Sequence, residues 1–141
     1  MSSSDYPVTI EPTSTGGFVA TFRDVPEAMA EGETLEEVKQ LALDALITSI
    51  DFYRDDFRVF PAPSLPLQGE SLIHLPASVV SKLLLLNTMI EQNCRPADLA
   101  RKMAVRPQDV TRLLQIRHST KIDTIERAVY ALGHELTVSI S

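Results

Sequence analysis

Apolar and polar residues alternate in two runs near the start of the chain. In the first, Tyr6, Val8 and Ile10 alternate with Pro7, Thr9 and Glu11; in the second, Phe18, Ala20 and Phe22 share one side. The segment between them, Thr13-Ser14-Thr15-Gly16-Gly17, is turn material, so the pair predicts a hairpin with one buried face. Asp24-Val25-Pro26 ends the hairpin, and Ala28–Gly32 reads as a connecting loop. The apolar period then changes from two to that of a helix. Thr34 can cap its start while Glu37, three residues on, reaches back. Leu35, Val38, Leu41, Ala42, Ala45, Leu46 and Ser49 trace the apolar stripe, closed by Phe52-Tyr53, and this stripe can cover the hairpin. Residues 61–69 hold three prolines and a glycine and cannot continue a helix. Ser71–Leu75 predicts a third strand on the hairpin, with a module boundary near Pro76.

The second half reads as helical. Val79, Val80 and Leu83–Leu86 make a helix over Ala77–Gln92 apolar on more than one side, which predicts burial against two surfaces. Residues 97–118 predict a short helix with Leu99, Ala100 and Met103 inward, a turn at Ala104-Val105, and a second helix opening at Pro107. That second helix carries Val110, Leu113 and Leu114 on its inner side. Two helices joined by so short a turn are the way helix-turn-helix proteins present a recognition helix to the major groove. A last helix over Ile122–Leu132 turns Ile122, Ile125, Ala128, Val129 and Leu132 inward, with Gly133 just past its end. In the tail, Leu136, Val138 and Ile140 alternate with Thr137 and Ser139, predicting a terminal strand whose edges need a partner. That strand and Leu84–Leu86 are the candidate surfaces for a homodimer or higher homo-oligomer. Met1–Ser4 reads as a frayed end, and no internal repeat or heptad array is evident. The expected fold is α+β: an N-terminal antiparallel sheet with one packed helix over residues 1–75, then an all-α helix-turn-helix domain over 76–141 with a short C-terminal strand.

Composition adds partners to this outline. With 44% apolar residues in 141, a core is available and disorder is not the default. No apolar run is long enough for a membrane span, and the start lacks the basic and apolar regions of a secretory signal, so a cytoplasmic protein without membrane contact is expected. A single cysteine, Cys94, excludes an internal disulfide. The net charge of −6 is unevenly spread. Residues 1–75 hold 13 acidic and 4 basic side chains, a net −9; residues 76–141 hold 6 and 9, a net +3. Such asymmetry points to two partners of opposite charge, since an acidic half attracts a basic protein and a basic half a polyanion.

The candidate chemistry is recognition rather than catalysis. Gln108, Thr111 and Arg112 point away from the inner side of their helix and can face base edges, where glutamine suits adenine and arginine suits guanine. Arg106, just before that helix, can reach base or phosphate. Arg117, His118, Ser119 and Lys121, in the loop after it, are phosphate candidates. For each, the competing reading is an ordinary solvated side chain. Cys94 has no histidine nearby, and His74, His118 and His134 are scattered, so neither a nucleophile nor a metal site is expected. Gly16-Gly17 is a hairpin turn rather than a phosphate loop, and no cofactor is implied.

Taken in order, YPVTIEP, the Gly-Gly turn, FVATFRDVP, EGET, the helix LEEVKQLALDALITSIDFY and the proline-rich exit resemble the N-terminal module of HicB-type antitoxins from bacterial type II toxin–antitoxin pairs. Residues 96–140 are similar to the phage-repressor class of helix-turn-helix, except that Ala104 stands where that class often has glycine. The resemblance implies a cut-down RNase H fold for the first module, but the sequence offers no metal-binding carboxylate set, so no nuclease activity is inferred. It also implies a partner, a small basic HicA-like toxin that cleaves mRNA, which the first module would block while the second represses the shared operon on operator double-stranded DNA. The acids available for toxin contact are Asp24, Glu31, Glu33, Asp51, Asp55 and Asp56. The alternative is a stand-alone regulator whose first module senses a ligand; a neighbouring gene for a small basic protein separates the two.

Overall fold

A computed structural model describes residues 4–141; of the expected frayed end, Met1–Ser3 lie outside the described residues. Strands β1 (Asp5–Pro12) and β2 (Phe18–Thr21) form the expected antiparallel hairpin, with Ile10 opposite Ala20 and Pro12 opposite Phe18. Gly16, at φ +93°, makes the turn, which Thr13 closes by donating its N–H to the Gly17 carbonyl at 2.8 Å. Strand β4 (Ser71–His74) pairs antiparallel with β1 on the other side, as the pattern predicts. Ser4 corrects one expectation: it is buried, and its carbonyl accepts the Leu75 N–H at 2.8 Å.

The segment read as a loop is in fact a strand. β3 (Met29–Gly32) pairs antiparallel with β2 and completes a sheet of order β3-β2-β1-β4. Four residues are too few to display alternation, and only the β2 ladder defines them. Helix α1 (Leu35–Asp55) lies on one face of this sheet. Its capping forms as expected: Glu37 N–H donates to Thr34 Oγ1 at 3.1 Å, while Glu37 Oε1 accepts the Glu33 N–H at 3.2 Å. The buried stripe is Val38, Ala42, Leu46, Ile50 and Tyr53; Leu35, Leu41 and Phe52 face solvent, because the narrow sheet covers only one side of the helix. The core beneath it joins Tyr6, Val8, Ala20 and Phe22 to this stripe. Phe60 closes the core edge-on to Tyr53, with ring centroids 5.0 Å apart.

Helix α2 (Ala77–Glu91) serves two cores. Val79, Leu83 and Leu86 belong to the first, and Leu85 and Met89 to a second built with the remaining helices. Leu85 and Leu86 are therefore unavailable to an oligomer surface, and only Leu84 of that trio is exposed. Helices α3 (Pro96–Met103), α4 (Pro107–Leu113) and α5 (Ile122–Ala131) enclose Leu99, Ala100, Val110, Leu113, Ile125, Ala128 and Val129. Ile122 was expected inward but is half exposed, at the first turn of α5 where no element covers it. Gly133 ends α5 with φ +85°, the left-handed conformation that follows many helices. Residues 134–141 join no ladder within the chain, and the strand expected there is held only by pairing with a partner. Leu136 packs against the second core, while Val138 and Ile140 stand in solvent.

Candidate nucleic-acid interface and acidic face

Helices α3 and α4 open with the same four-residue pattern, Arg95-Pro96-Ala97-Asp98 and Arg106-Pro107-Gln108-Asp109. In each, proline takes a position that has no hydrogen bond to lose, and the aspartate three residues past the cap accepts the cap N–H, at 2.9 Å and 3.3 Å. The pattern is legible in the sequence as a local repeat, which the periodicity reading passed over. Between the helices, Ala104 adopts φ 56° and ψ 45°, the left-handed conformation usually left to glycine. It turns the chain within three residues and delivers α4 against α3.

On α4 the division between faces holds. Val110 and Leu113 are buried, and Gln108, Thr111 and Arg112 are exposed together. Thr111 donates its hydroxyl to the Pro107 carbonyl at 3.2 Å. Arg112 makes no ion pair or side-chain hydrogen bond among the described residues. Arg106 pairs with Asp109 at 3.3 Å but keeps 70% of its side chain exposed. Bonding to Arg106 holds the Asp109 carboxyl below its ordinary range, so that acid remains charged beside the exposed face.

The loop after α4 is less uniform than its sequence suggests. Ser119 and Lys121 are exposed, with Lys121 capping α5. Arg117 turns toward α1, where Nη2 donates to Asp44 Oδ1 at 3.0 Å and to Thr48 Oγ1 at 3.3 Å. The carbonyl of His118 accepts the Lys82 ammonium at 2.6 Å, while its ring is outside. Lys82 was missed by sequence reasoning, although a lone charge inside an apolar helix is a signal: it must find polar partners when buried. Burial lowers its pKa.

The acids expected to face a cationic partner do not form one patch. Glu33 and Asp55 stand at opposite ends of the 21-residue α1, about 30 Å apart by helical rise. Glu31 is exposed on the sheet-edge strand β3, next to Glu33. Asp51 and Asp55 bracket Arg54, at 3.0 Å and 3.3 Å, and Asp56 lies 3.6 Å from Arg58. Asp24 is largely covered, 12% exposed, and bonded to Ser64. Cys94 is buried beside α3, and burial raises its pKa. Among the described residues no group of His, Cys, Asp or Glu is arranged to hold a metal ion, and no helix is long and apolar enough to cross a membrane.

Residues 5–84, the sheet, α1 and the first half of α2, match a family described as "HicB_like antitoxin of bacterial toxin-antitoxin system". Similarity to curated proteins extends through the helical half. Antitoxin HicB 1 of Photorhabdus laumondii subsp. laumondii is 46% identical over 135 residues, covering 96% of this chain and 86% of the relative. Antitoxin HicB 2 of the same organism is 47% identical over 131 residues, covering 93% and 92%. Antitoxin HicB of Escherichia coli is 42% identical over 133 residues, covering 94% and 96%.

Proposed function

The chain belongs to the HicB-like antitoxin family of bacterial toxin–antitoxin systems, and from that premise we propose a protein with two binding activities and no catalysis of its own. Residues 1–75, a sheet with one helix in a partial RNase H-like arrangement, bind a HicA-like toxin and block its cleavage of mRNA. Residues 76–141 bind operator DNA as a helix-turn-helix domain and repress the operon that encodes both proteins. Repression on a palindromic site calls for a dimer, because one short recognition helix supplies little affinity. Both activities belong in the cytoplasm.

The reading is carried above all by relatives matched over both halves of the chain. The geometry supports each half separately. The exposed trio Gln108, Thr111 and Arg112 stands on one face of α4, backed by Val110 and Leu113. The first half holds the excess of carboxylates, and complementary fields speed and select the capture of a basic protein. With Asp24 bonded to Ser64, the acids proposed for toxin contact narrow to Glu31 and Glu33 at one end of α1 and Asp51, Asp55 and Asp56 at the other.

The test is direct. Full-length chain, added in equal amount to the small basic protein encoded beside its gene, abolishes RNA cleavage by that protein. The same chain retards a duplex from the region upstream of its own reading frame, and added salt weakens the complex. Undiminished cleavage at saturating chain rejects the first activity; salt-insensitive or absent retardation rejects the second.

A further inference from the structure

The stretch that follows α4 is held from the other half of the molecule. Lys82 of α2 is buried, and its Nζ donates to the carbonyls of Gln115 at 2.8 Å and His118 at 2.6 Å. Arg54 of α1 donates from Nη1 to the Leu114 carbonyl at 3.1 Å and to Asp51 at 3.0 Å. Arg117 reaches in the opposite direction, to Asp44 Oδ1 at 3.0 Å and the Asp44 carbonyl at 3.3 Å. Between them Ile116 is buried in the first core, not in that of its own helices.

The Arg54 bond to the C-cap carbonyl of Leu114 meets a need of α4, and Lys82 holds the carbonyls of Gln115 and His118 just beyond it. The last carbonyls of a helix have no intrahelical partner, and cations there are favoured by the helix dipole. A helix of seven residues is also too short to keep its course by its own hydrogen bonds. Its direction is therefore set by its packing against α3 and by what grips its end, and two of the three gripping cations belong to α1 and α2.

We propose that Asp44, Arg54 and Lys82 are positioning residues for DNA binding: with Arg117 they clamp the end of α4 to α1 and α2 and set the angle at which Gln108, Thr111 and Arg112 meet a duplex. The inference rests on the operator-binding reading above. It reassigns Arg117 from phosphate contact to anchor, and it gives a carboxylate, Asp44, a supporting part in binding a polyanion.

That last point supplies a test by sign. Removing an exposed carboxylate makes the chain more positive, and electrostatics alone then tightens its grip on DNA. The clamp requires the reverse. Binding is measured by fluorescence anisotropy over a salt series, with full-length chain and a duplex from the region upstream of its own reading frame. Asp44→Ala weakens binding by about two- to fivefold, as loss of an exposed ion pair would, and leaves the slope of log affinity against log salt unchanged. Arg117→Gln does the same, and the double variant is no weaker than either single one. Lys82→Met accelerates hydrogen exchange at the amides of residues 112–118. Binding by Asp44→Ala at or above the wild-type level overturns the clamp, as does a salt slope reduced by about one in Arg117→Gln, the mark of a phosphate contact. A wild-type chain that ignores the duplex instead overturns the operator-binding reading itself, and the clamp with it.

Discussion

Asp24 holds Ser64 with both carboxylate oxygens: Oδ2 accepts the Ser64 N–H at 2.9 Å, and Oδ1 accepts its hydroxyl at 2.6 Å. Forty residues apart, the two tie the proline-rich segment 61–69 to the end of the hairpin, where Tyr6 also donates its hydroxyl to the Pro61 carbonyl at 2.6 Å. Segments of this composition make no ladder of their own, so such side-chain bonds are what place them. Asp24→Ala lowers stability by about 1.5–3 kcal/mol, the range for hydrogen bonds to a charged acceptor, and exposes the segment to protease. Urea unfolding and limited proteolysis check this; unchanged stability with weakened toxin binding would return Asp24 to the contact surface.

Acid sensitivity follows from Glu70. Arg23 grips it with Nε at 2.8 Å and Nη2 at 3.1 Å, and the Leu67 N–H donates to the same carboxylate. The Arg23 hydrogen bond, then the backbone one, holds the Glu70 carboxyl below its ordinary value of 4.5. In the unfolded chain Glu70 takes up its proton first, so the stabilisation is complete above about pH 4.5 and fades as pH falls through the lower folded value. Thermal melts across this range show a falling midpoint, and Glu70→Gln flattens that fall. A variant curve parallel to the wild type would remove Glu70 as a contributor.

Ala104 occupies the left-handed region at φ 56°, where a Cβ costs roughly 1–2 kcal/mol. Glycine avoids that cost but adds freedom to the unfolded chain, which takes back part of the gain. Ala104→Gly is expected to raise stability by about 0.5–1 kcal/mol without altering DNA affinity. Chemical denaturation measures the first and the duplex titration the second; a loss of stability would show that the turn is relaxed as it stands.

Arg112 is exposed on α4 without an ion pair or side-chain hydrogen bond among the described residues, and under the operator-binding proposal it is the candidate to read a base. Arg112→Ala lowers operator affinity by about 1–3 kcal/mol if the contact is bidentate, and relaxes preference at one base pair. A panel of single-base operator variants reads this out. Uniform weakening across the panel would assign Arg112 to phosphate.

Short-range physics made much of this chain readable without coordinates. Turn chemistry at Gly16, a side-chain cap at Thr34 and Pro107 at a helix start all act within a few residues, and the hairpin, α1 and the α3–α4 pair stand where those signals place them. The inward positions of α4 and the two-sided burial of α2 were equally open to periodicity. Features that depend on distant partners were not. β3 exists because β2 lies beside it, and Asp24 is occupied by a residue forty positions away. Lys82 shows the limit most plainly: its position in an apolar helix demanded acceptors, but only the packing of α2 against the end of α4 decided that Gln115 and His118 would supply them. Hydrogen-bond ladders and buried charges take their energy from groups brought close by folding, and no local window along the chain contains both members of such a pair.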